Sequence, residues 1–208
     1  MISYKVFLLF LAAALLVAIT PGPGIFYILA RTLAGGRSEG LASSVGLGLG
    51  GLVHVLAGAI GLSALVMASA EAFTLLKLAG AVYLVWIGLK TWREARSAQP
   101  AEVETTGARR ALRQGVLVEA LNPKTAAFFL AFIPQFVDPS ADVAVQFVAF
   151  GLISVALNTS VDLIVTTWAA KAKARLTQHP SMIARSRQLS GAVMCGLGAT
   201  LLVARRTG

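Results

Sequence analysis

The sequence is poor in charged residues and holds a single cysteine. Only 13% of its 208 residues are Asp, Glu, Lys or Arg, whereas 57% are hydrophobic. A soluble domain carries roughly 25% charged residues, so this composition argues against a water-soluble globular protein. The lone Cys195 excludes an internal disulfide, and its apolar neighbours favour a small buried thiol. The length fits one domain over residues 1–208.

Acidic residues are the scarcer of the two charged types. Eighteen Lys and Arg stand against nine Asp and Glu, which gives a net charge of +9 at pH 7. Binding of nucleic acid would require those basic residues on a polar surface large enough to fold in water, and the chain lacks one. In so apolar a chain the excess indicates cytoplasmic loops of a membrane protein. We therefore predict the lipid bilayer as a partner and no nucleic acid.

Six apolar stretches are candidates for membrane crossing, which takes about 20 apolar residues in a helix. They are residues 6–30, 41–70, 72–89, 115–137, 143–170 and 188–204. Lipid satisfies no backbone polar group, so a span is a helix or part of a closed barrel. Barrel strands are alternating segments of about 10 residues, whereas these stretches are longer and continuously apolar. The sequence therefore predicts an all-α membrane protein with six transmembrane helices.

The distribution of basic residues predicts the orientation of these spans. The segments after the first, third and fifth stretches hold thirteen of the eighteen Lys and Arg. Because basic loops stay in the cytoplasm, both termini are expected outside. Arg205 and Arg206 fit this arrangement poorly, and a five-span chain with an inside tail is the alternative.

Two proline-containing segments, 102 residues apart, resemble each other. TPGPG at residues 20–24 lies in the first stretch, and NPK at residues 122–124 lies in the fourth. The polar residues 97–109 read as a linker between halves 1–96 and 110–208. Three helices per half is an odd number, so the halves would insert in opposite directions. The pattern predicts a 3+3 inverted repeat with proline-broken helices 1 and 4, which is typical of secondary transporters.

The proline segments also predict a binding site. Proline removes an amide donor and frees a carbonyl one turn back, and lipid cannot satisfy that carbonyl. Freed carbonyls can bind an ammonium group, and the amide end of a half-helix can bind a carboxylate, so a zwitterionic amino acid fits both. A plain kink that serves packing is the alternative. The predicted substrate-binding residues are Thr20, Pro21, Gly22, Pro23, Gly24, Asn122, Pro123, Lys124 and Asn158.

Ionisable residues within the spans are costly, and each is a functional candidate. Lys124 is interpreted as a contact for a substrate carboxylate or as a helix-end anchor. Asp162 lies four residues after Asn158 and shares its helix face, so it could bind an ammonium group or carry a proton. His54 and Glu119 are further proton-coupling candidates. For Asp162 and His54, a structural hydrogen bond is the competing interpretation.

The second stretch is rich in glycine. Gly46 and Gly50 form a small-xxx-small pair, which allows two helices to approach closely. No basic or hydroxyl partner follows in the pattern of a phosphate-binding loop, so the glycines predict helix packing.

Four motifs together resemble those of the LysE/RhtB family of amino-acid exporters. They are ITPGP at residues 19–23, KLAGAVYL at 77–84, NPK at 122–124 and FIPQF at 132–136. The resemblance implies a six-helix exporter of the bacterial inner membrane, driven by the proton gradient and assembled as a homo-oligomer. We expect a homodimer and no cofactor. It carries a functional role onto Pro21, Gly22 and Pro23, and onto residues 122–124.

The resemblance also bears on the substrate. Basic-amino-acid exporters of the family carry an aspartate near the position of Gly51 and another after the Asn-Pro motif, and both are missing here. This favours a neutral substrate such as threonine, homoserine, homoserine lactone or leucine. A basic amino-acid exporter and a cation or metal exporter of a related superfamily are the alternatives. The sequence shows no enzyme motif and no metal-ligand cluster, so no enzyme activity is expected.

Overall fold

The computed structural model describes residues 4–68, 70–93 and 104–172, with scattered positions between 185 and 199. Every regular element within these residues is helical, which confirms the all-α prediction. The helices are α1 (Tyr4–Ile19), α2 (Pro23–Ala68), α3 (Ala70–Arg93), α4 (Ala108–Ala120), α5 (Pro123–Ala127) and α6 (Val143–Lys171). Helix α5 continues into a π-helical turn (Phe128–Phe132) and a 3₁₀ turn (Ile133–Phe136).

Several helices are long and apolar enough to lie in a bilayer. Within the described residues, the part Pro23–Gly61 of α2 and the whole of α6 could each cross a membrane. Helices Ala108–Ala120 and Pro123–Phe136 add a third crossing if they form one broken span, bent by 40°. These helices support a membrane protein. Most of the predicted sixth span lies outside the described residues, so the six-span count stays a prediction.

The first half of α4 is polar and precedes the fourth apolar stretch. The helix begins at Ala108, inside the predicted linker 97–109 and ahead of the predicted span start at residue 115. Its buried residues Ala111, Gly115 and Glu119 are four apart and form one packed face. Hydropathy detects helices that contact lipid. This part of α4 contains three arginines and is held by contact with α2 instead, so hydropathy alone does not identify it as helix.

A kink at Gly36 replaces the loop that was expected between the first two stretches. Helix α2 is helical on both sides of Gly36, whose φ of 73° and ψ of −167° interrupt it. Residues with a Cβ rarely adopt this backbone conformation, whereas glycine does so at little cost. Arg31 and Arg37 therefore lie on helix rather than on an open loop.

Glycines allow α2 to pack directly on the backbone of α4. A Cβ added to Gly46 would lie 2.2 Å from the Leu112 carbonyl oxygen, and one on Gly50 would lie 2.5 Å from that of Val116. Gly115 of α4 approaches the Ser43 carbonyl in the same manner. The small-xxx-small prediction is confirmed, because no larger residue fits at these points. The same part of α2 also packs on α6.

Aromatic side chains fill the space between α1, α6 and the segment after α5. Phe10 of α1 packs on Phe150 of α6 with ring centroids 4.4 Å apart, and on Phe136 at 5.5 Å. Pro134 lacks an amide hydrogen and clashes with the preceding turn, so the chain there departs from α-helical geometry. Helix α3 packs against the π-helical turn, where a Cβ on Gly80 would lie 2.3 Å from that of Ala131.

Candidate functional site

The first proline motif ends α1 and leaves carbonyl groups at its last turn. Helix α1 stops at Ile19 and α2 starts at Pro23. The Thr20 hydroxyl donates to the Leu16 carbonyl at 2.5 Å, and its amide donates to Val17 at 3.2 Å. The helix end is buried, since Thr20 is 3% exposed. These carbonyls cannot reach water and must find partners inside the protein.

The second motif ends α4 and starts α5 with a side-chain cap. Asn122 has extended backbone angles, and its side-chain oxygen accepts from the Lys124 amide at 3.0 Å. Pro123 follows at the first helical position, where its missing amide costs nothing. Each proline motif thus separates two helices, in agreement with the predicted interruptions of helices 1 and 4.

Lys124 joins the two interruptions. Its ammonium group donates to the Thr20 carbonyl at 2.9 Å and to the Val17 carbonyl at 3.1 Å, and the residue is only 6% exposed. A Cβ on Gly22 would lie 3.3 Å from the lysine stem, so glycine is what lets the side chain pass. The geometry matches the predicted helix-end anchor, and a lysine charge at the carbonyl end of α1 is favourable.

Glu119 completes the junction from the end of α4. Its carboxylate accepts from the Asn122 amide group at 2.8 Å and from the Thr125 hydroxyl at 2.6 Å. A Cβ on Gly24 would lie 3.2 Å from the same carboxylate, which places the acid beside the first turn of α2. An acidic group is favoured at a helix start. Each interrupted helix therefore holds a charged residue from the other.

A small polar cavity adjoins this junction. It is lined by α2, α4, α5, α6 and the π-helical turn through Leu47, Gly48, Gly51, Glu119, Thr125, Phe129, Val155, Asn158, Thr159 and Asp162. Its volume of about 10 Å³ accommodates about one water molecule. An amino acid would require the helices to separate, so the structure shows a closed state of this cavity.

Asp162 and Asn158 both line the cavity, as their four-residue spacing predicted. The Asn158 side-chain amide donates to the Ser154 carbonyl at 2.8 Å, which leaves its second hydrogen for another acceptor. Asp162 is 7% exposed and has no hydrogen bond or ion pair within the described residues. An uncommitted buried carboxylate is costly, which suggests that it serves a ligand or a proton.

His54 lies beside the second interruption. Its Nε2 atom is 2.8 Å from the Glu119 carbonyl oxygen, and its ring packs at 5.7 Å from that of Phe129. The contact joins α2 to the end of α4, as the competing structural interpretation of His54 expected. It also ties the histidine to the residue whose carboxylate lines the cavity.

A third buried acid, Glu39, was missed by sequence reasoning. One carboxylate oxygen accepts from the backbone amides of Gly107 at 2.7 Å and Thr106 at 2.8 Å. The other oxygen lies 3.8 Å from the Arg31 guanidinium, whose own donors reach Thr106 and Gln114. Glu39 and Arg31 thereby fix the start of α4 to both sides of the Gly36 kink. The partners of Glu39 and Arg31 in residues 104–114 lie far along the chain, so the local sequence gave no signal of these contacts.

Replacing Glu39 with alanine is expected to loosen this attachment. A hydrogen bond to a charged group contributes about 1.5–3 kcal/mol to the free energy of unfolding, and here two backbone amides would lose their acceptor. Thermal unfolding of the purified protein in detergent should therefore shift to lower temperature. Glu104→Ala is the matched control, because Glu104 is exposed and, among the described residues, only its backbone oxygen accepts a hydrogen bond, from Arg31. Equal melting of the two variants would contradict the proposed anchoring.

Small hydroxyl residues continue the polar interior between α2 and α6. The Ser44 and Thr166 hydroxyls lie 2.9 Å apart, and both residues are fully buried. Thr166 follows Asp162 by one helical turn, so the two share a face. Gly40 gives this face room, because its Cβ would collide with Thr32 and Thr166. Polar groups thus extend from the cavity toward the Gly36 kink.

The fold and its buried junction of two interrupted helices define a helical membrane protein with a polar interior. The model of one family, the LysE type translocators, matches residues 15–205 of the chain. The chain belongs to this family of translocators, as the four motifs indicated. No solved structure matches the chain.

Several relatives align over almost the full length. A protein of Vibrio cholerae described as an uncharacterized membrane protein is 34% identical over 96% of this chain and 98% of its own. The homoserine/homoserine lactone efflux protein of Salmonella typhimurium is 29% identical over 94% and 95%, respectively. The threonine efflux protein of Escherichia coli is 26% identical over 95% and 99%.

Proposed function

We propose that the protein is a secondary-active exporter of neutral amino acids or their derivatives, with threonine, homoserine, homoserine lactone and leucine-like compounds as candidates. The observation that carries the proposal is the contact of the two helix interruptions through Lys124, next to a buried cavity that Glu119, Asn158 and Asp162 line. In many secondary transporters the substrate site lies near the middle of the membrane, where two interrupted helices meet. The names of the Salmonella and Escherichia relatives support amino compounds as the cargo.

The substrate site in this proposal is the cavity together with the residues that frame it. The substrate ammonium binds the Asp162 carboxylate, which has no partner of its own in the described structure, with Asn158 beside it. The proline motifs supply the frame rather than the first contact, because Lys124 already occupies the Val17 and Thr20 carbonyls. The two proline motifs, residues 20–24 and 122–124, therefore act by fixing the relative positions of the helices that line the cavity.

In this proposal, the substrate ammonium and a proton compete for one carboxylate, and this competition couples export to proton entry. A carboxylate that binds either an ammonium or a proton, but not both, exchanges the two across the membrane. One elementary charge crossing 100 mV supplies about 2.3 kcal/mol, which is enough for a modest substrate gradient. Asp162 is the proposed carrier, and Glu119 and His54 are the neighbouring candidates that surround the same cavity.

The membrane arrangement is part of the same proposal. Six spans form two inverted halves, with both termini outside the bacterial inner membrane and the basic loops in the cytoplasm. The 102 residues between the two proline motifs are the offset of the proposed repeat. A homodimer is the proposed assembly.

Growth and pool measurements test the proposed function. A bacterial strain that expresses the chain is exposed to a panel of toxic amino acids and analogues, and intracellular pools are measured. We expect resistance together with lowered pools for a subset of neutral compounds. Glu104→Gln is a control for expression, since its exposed side chain lies away from the cavity. Unchanged pools for every compound would overturn the exporter proposal.

Replacing Asp162 with asparagine should remove the pH response of efflux. The amide keeps the size of the side chain but neither carries a proton nor balances an ammonium charge. For the unaltered protein we expect efflux to rise as the external pH falls, because external protons displace substrate from Asp162. For the variant, residual efflux should be flat across the same pH range, as measured with preloaded labelled substrate. A normal pH response in the variant would exclude Asp162 as the carrier.

Export of a basic amino acid is a second candidate function. It is favoured by the two acids in the cavity wall, Glu119 and Asp162, which would suit a second positive charge. Lysine and arginine belong in the same panel. Lowered pools of these two alone would favour this candidate over the first.

A further inference from the structure

The outward face of α4 changes from basic to apolar along the helix. Arg109, Arg113, Leu117 and Leu121 follow one another at intervals of four residues, so they lie on one face. All four are exposed, and the two leucines are 61% and 78% accessible, respectively. The buried residues of α4 lie on the opposite face. The exposed face therefore consists of a charged half at the start of the helix and an apolar half at its end.

A cleft at the start of α4 brings three arginines together. It has a volume of about 530 Å³ and is lined by Thr106, Gly107, Ala108, Arg109, Arg110 and Arg113. Within the described residues, none of the three arginine side chains makes a hydrogen bond or an ion pair. Their guanidinium groups therefore have donors available for an anion.

The acids near this cleft leave most of its charge unbalanced. Glu39 is buried, accepts from two backbone amides and lies 3.8 Å from Arg31, so this pair is balanced on its own. Glu104 is exposed and lies outside the cleft lining, and its side chain has no ion pair within the described residues. At this end of α4, three arginines of the cleft thus stand against one exposed acid, and the cleft is positive.

Thr106 adds a hydroxyl group to the cleft. Its oxygen accepts from the Arg31 guanidinium at 3.0 Å, because an arginine only donates. The hydroxyl hydrogen is left for another acceptor, and no described residue takes it. A phosphate oxygen accepts such a hydrogen bond, and a guanidinium group can bind two phosphate oxygens at once. The donors of the cleft therefore fit a phosphate group.

The apolar half of the same face indicates that this phosphate belongs to a lipid. Leu117 lies about 6 Å further along the helix axis than Arg113, and Leu121 lies about 12 Å further. A phospholipid carries its phosphate at the membrane surface and its acyl chains below it, so one molecule can contact both halves of the face. A free phosphate ion would make no use of the exposed leucines.

We propose that this face of α4 binds an anionic glycerophospholipid. Its phosphate is held by Arg109, Arg110 and Arg113, and an acyl chain lies along Leu117 and Leu121. A headgroup with a net negative charge is preferred to a choline headgroup, because choline would bring a second cation to the arginines. The site is separate from the polar cavity and does not depend on the proposed transport activity.

Lipid binding to the full-length protein in detergent tests this site. Dioleoyl phosphatidylglycerol, dioleoyl phosphatidylcholine and glycerol phosphate are titrated separately, and native mass spectrometry counts the bound molecules. The two lipids share their acyl chains and differ in net charge, whereas glycerol phosphate has the anion without the chains. We expect phosphatidylglycerol to bind more tightly than the other two. Equal binding of the two lipids, or of glycerol phosphate and phosphatidylglycerol, would overturn the proposal.

Variants of exposed residues locate the site. Arg113→Gln and Arg109→Gln should each weaken phosphatidylglycerol binding about fivefold, as expected for the loss of one basic contact to an anionic lipid. Arg37→Gln is the matched control, because Arg37 is exposed on α2 and lies outside the cleft. Leu117→Ala should weaken phosphatidylglycerol binding and leave glycerol phosphate binding unchanged. An equal loss in the Arg37 and Arg113 variants would show that overall charge attracts the lipid, which would contradict a site on α4.

Discussion

Replacing Lys124 with methionine is expected to abolish efflux, with a loss of about 100-fold or more. Methionine preserves the length and apolar stem of the side chain but donates no hydrogen bond. The Thr20 carbonyl would lose its lysine donor in a buried place, which costs about 1–3 kcal/mol. The two interruptions would then be free to shift, and a misplacement of about 1 Å in a binding site can cost about 100-fold in rate.

Efflux of labelled substrate from preloaded cells measures this loss, and thermal unfolding in detergent measures the accompanying destabilisation. Lys171→Met provides a matched control, since Lys171 is exposed at the last turn of α6. Lys124→Arg should restore little, because a longer side chain with a planar guanidinium would replace a compact ammonium in this buried place. Normal efflux by Lys124→Met would show that the junction of the two interruptions is not needed for transport.

The second large effect is expected at Gly46, where alanine should destabilise the fold. An added Cβ would lie 2.2 Å from the Leu112 carbonyl oxygen and 3.0 Å from its carbon. Both are backbone atoms of α4, which cannot rotate away, so α2 and α4 must separate. Overpacking of this kind typically costs about 1–3 kcal/mol, and here it opposes the usual gain from replacing a helical glycine.

Gly61→Ala is the internal control for Gly46→Ala. Gly61 lies on the same helix, and an added Cβ there meets no described residue within 4 Å. That variant should melt at or above the temperature of the unaltered protein, because alanine favours the helix by up to about 1 kcal/mol. The two substitutions are chemically identical, so opposite shifts in melting temperature would isolate the close approach of α2 and α4. A shift of the same sign in both would contradict it.

Much of the fold could be predicted from the sequence, because the residues that determine these elements act locally. Proline and glycine at residues 20–24 and 122–124 act on their own backbone, and both interruptions are where these motifs predicted. Helix α6 runs over Val143–Lys171, against a predicted 143–170, because lipid and protein contact coincide along it. The Gly36 kink was not predicted, since glycine permits a helix break but does not require one.

The candidate site was only partly predictable, for a different reason. Asn158 and Asp162 lie four apart on one helix, so their shared cavity face follows from spacing alone. Lys124, in contrast, binds carbonyls of residues more than 100 positions earlier, and Glu39 binds amides 67 and 68 positions later. Such partners depend on how helices assemble. The carbonyls predicted to await a substrate are for this reason found already bound by lysine.

The volume of the cavity at the junction has a consequence for the energy supply of the cell. Protons move quickly through a membrane protein only along a continuous file of water molecules and titratable side chains. The cavity has room for about one water beside Asp162, which is too little for a continuous file at this point of the described structure. An exporter that works as proposed would therefore not dissipate the proton gradient of the cell while it stays in this state.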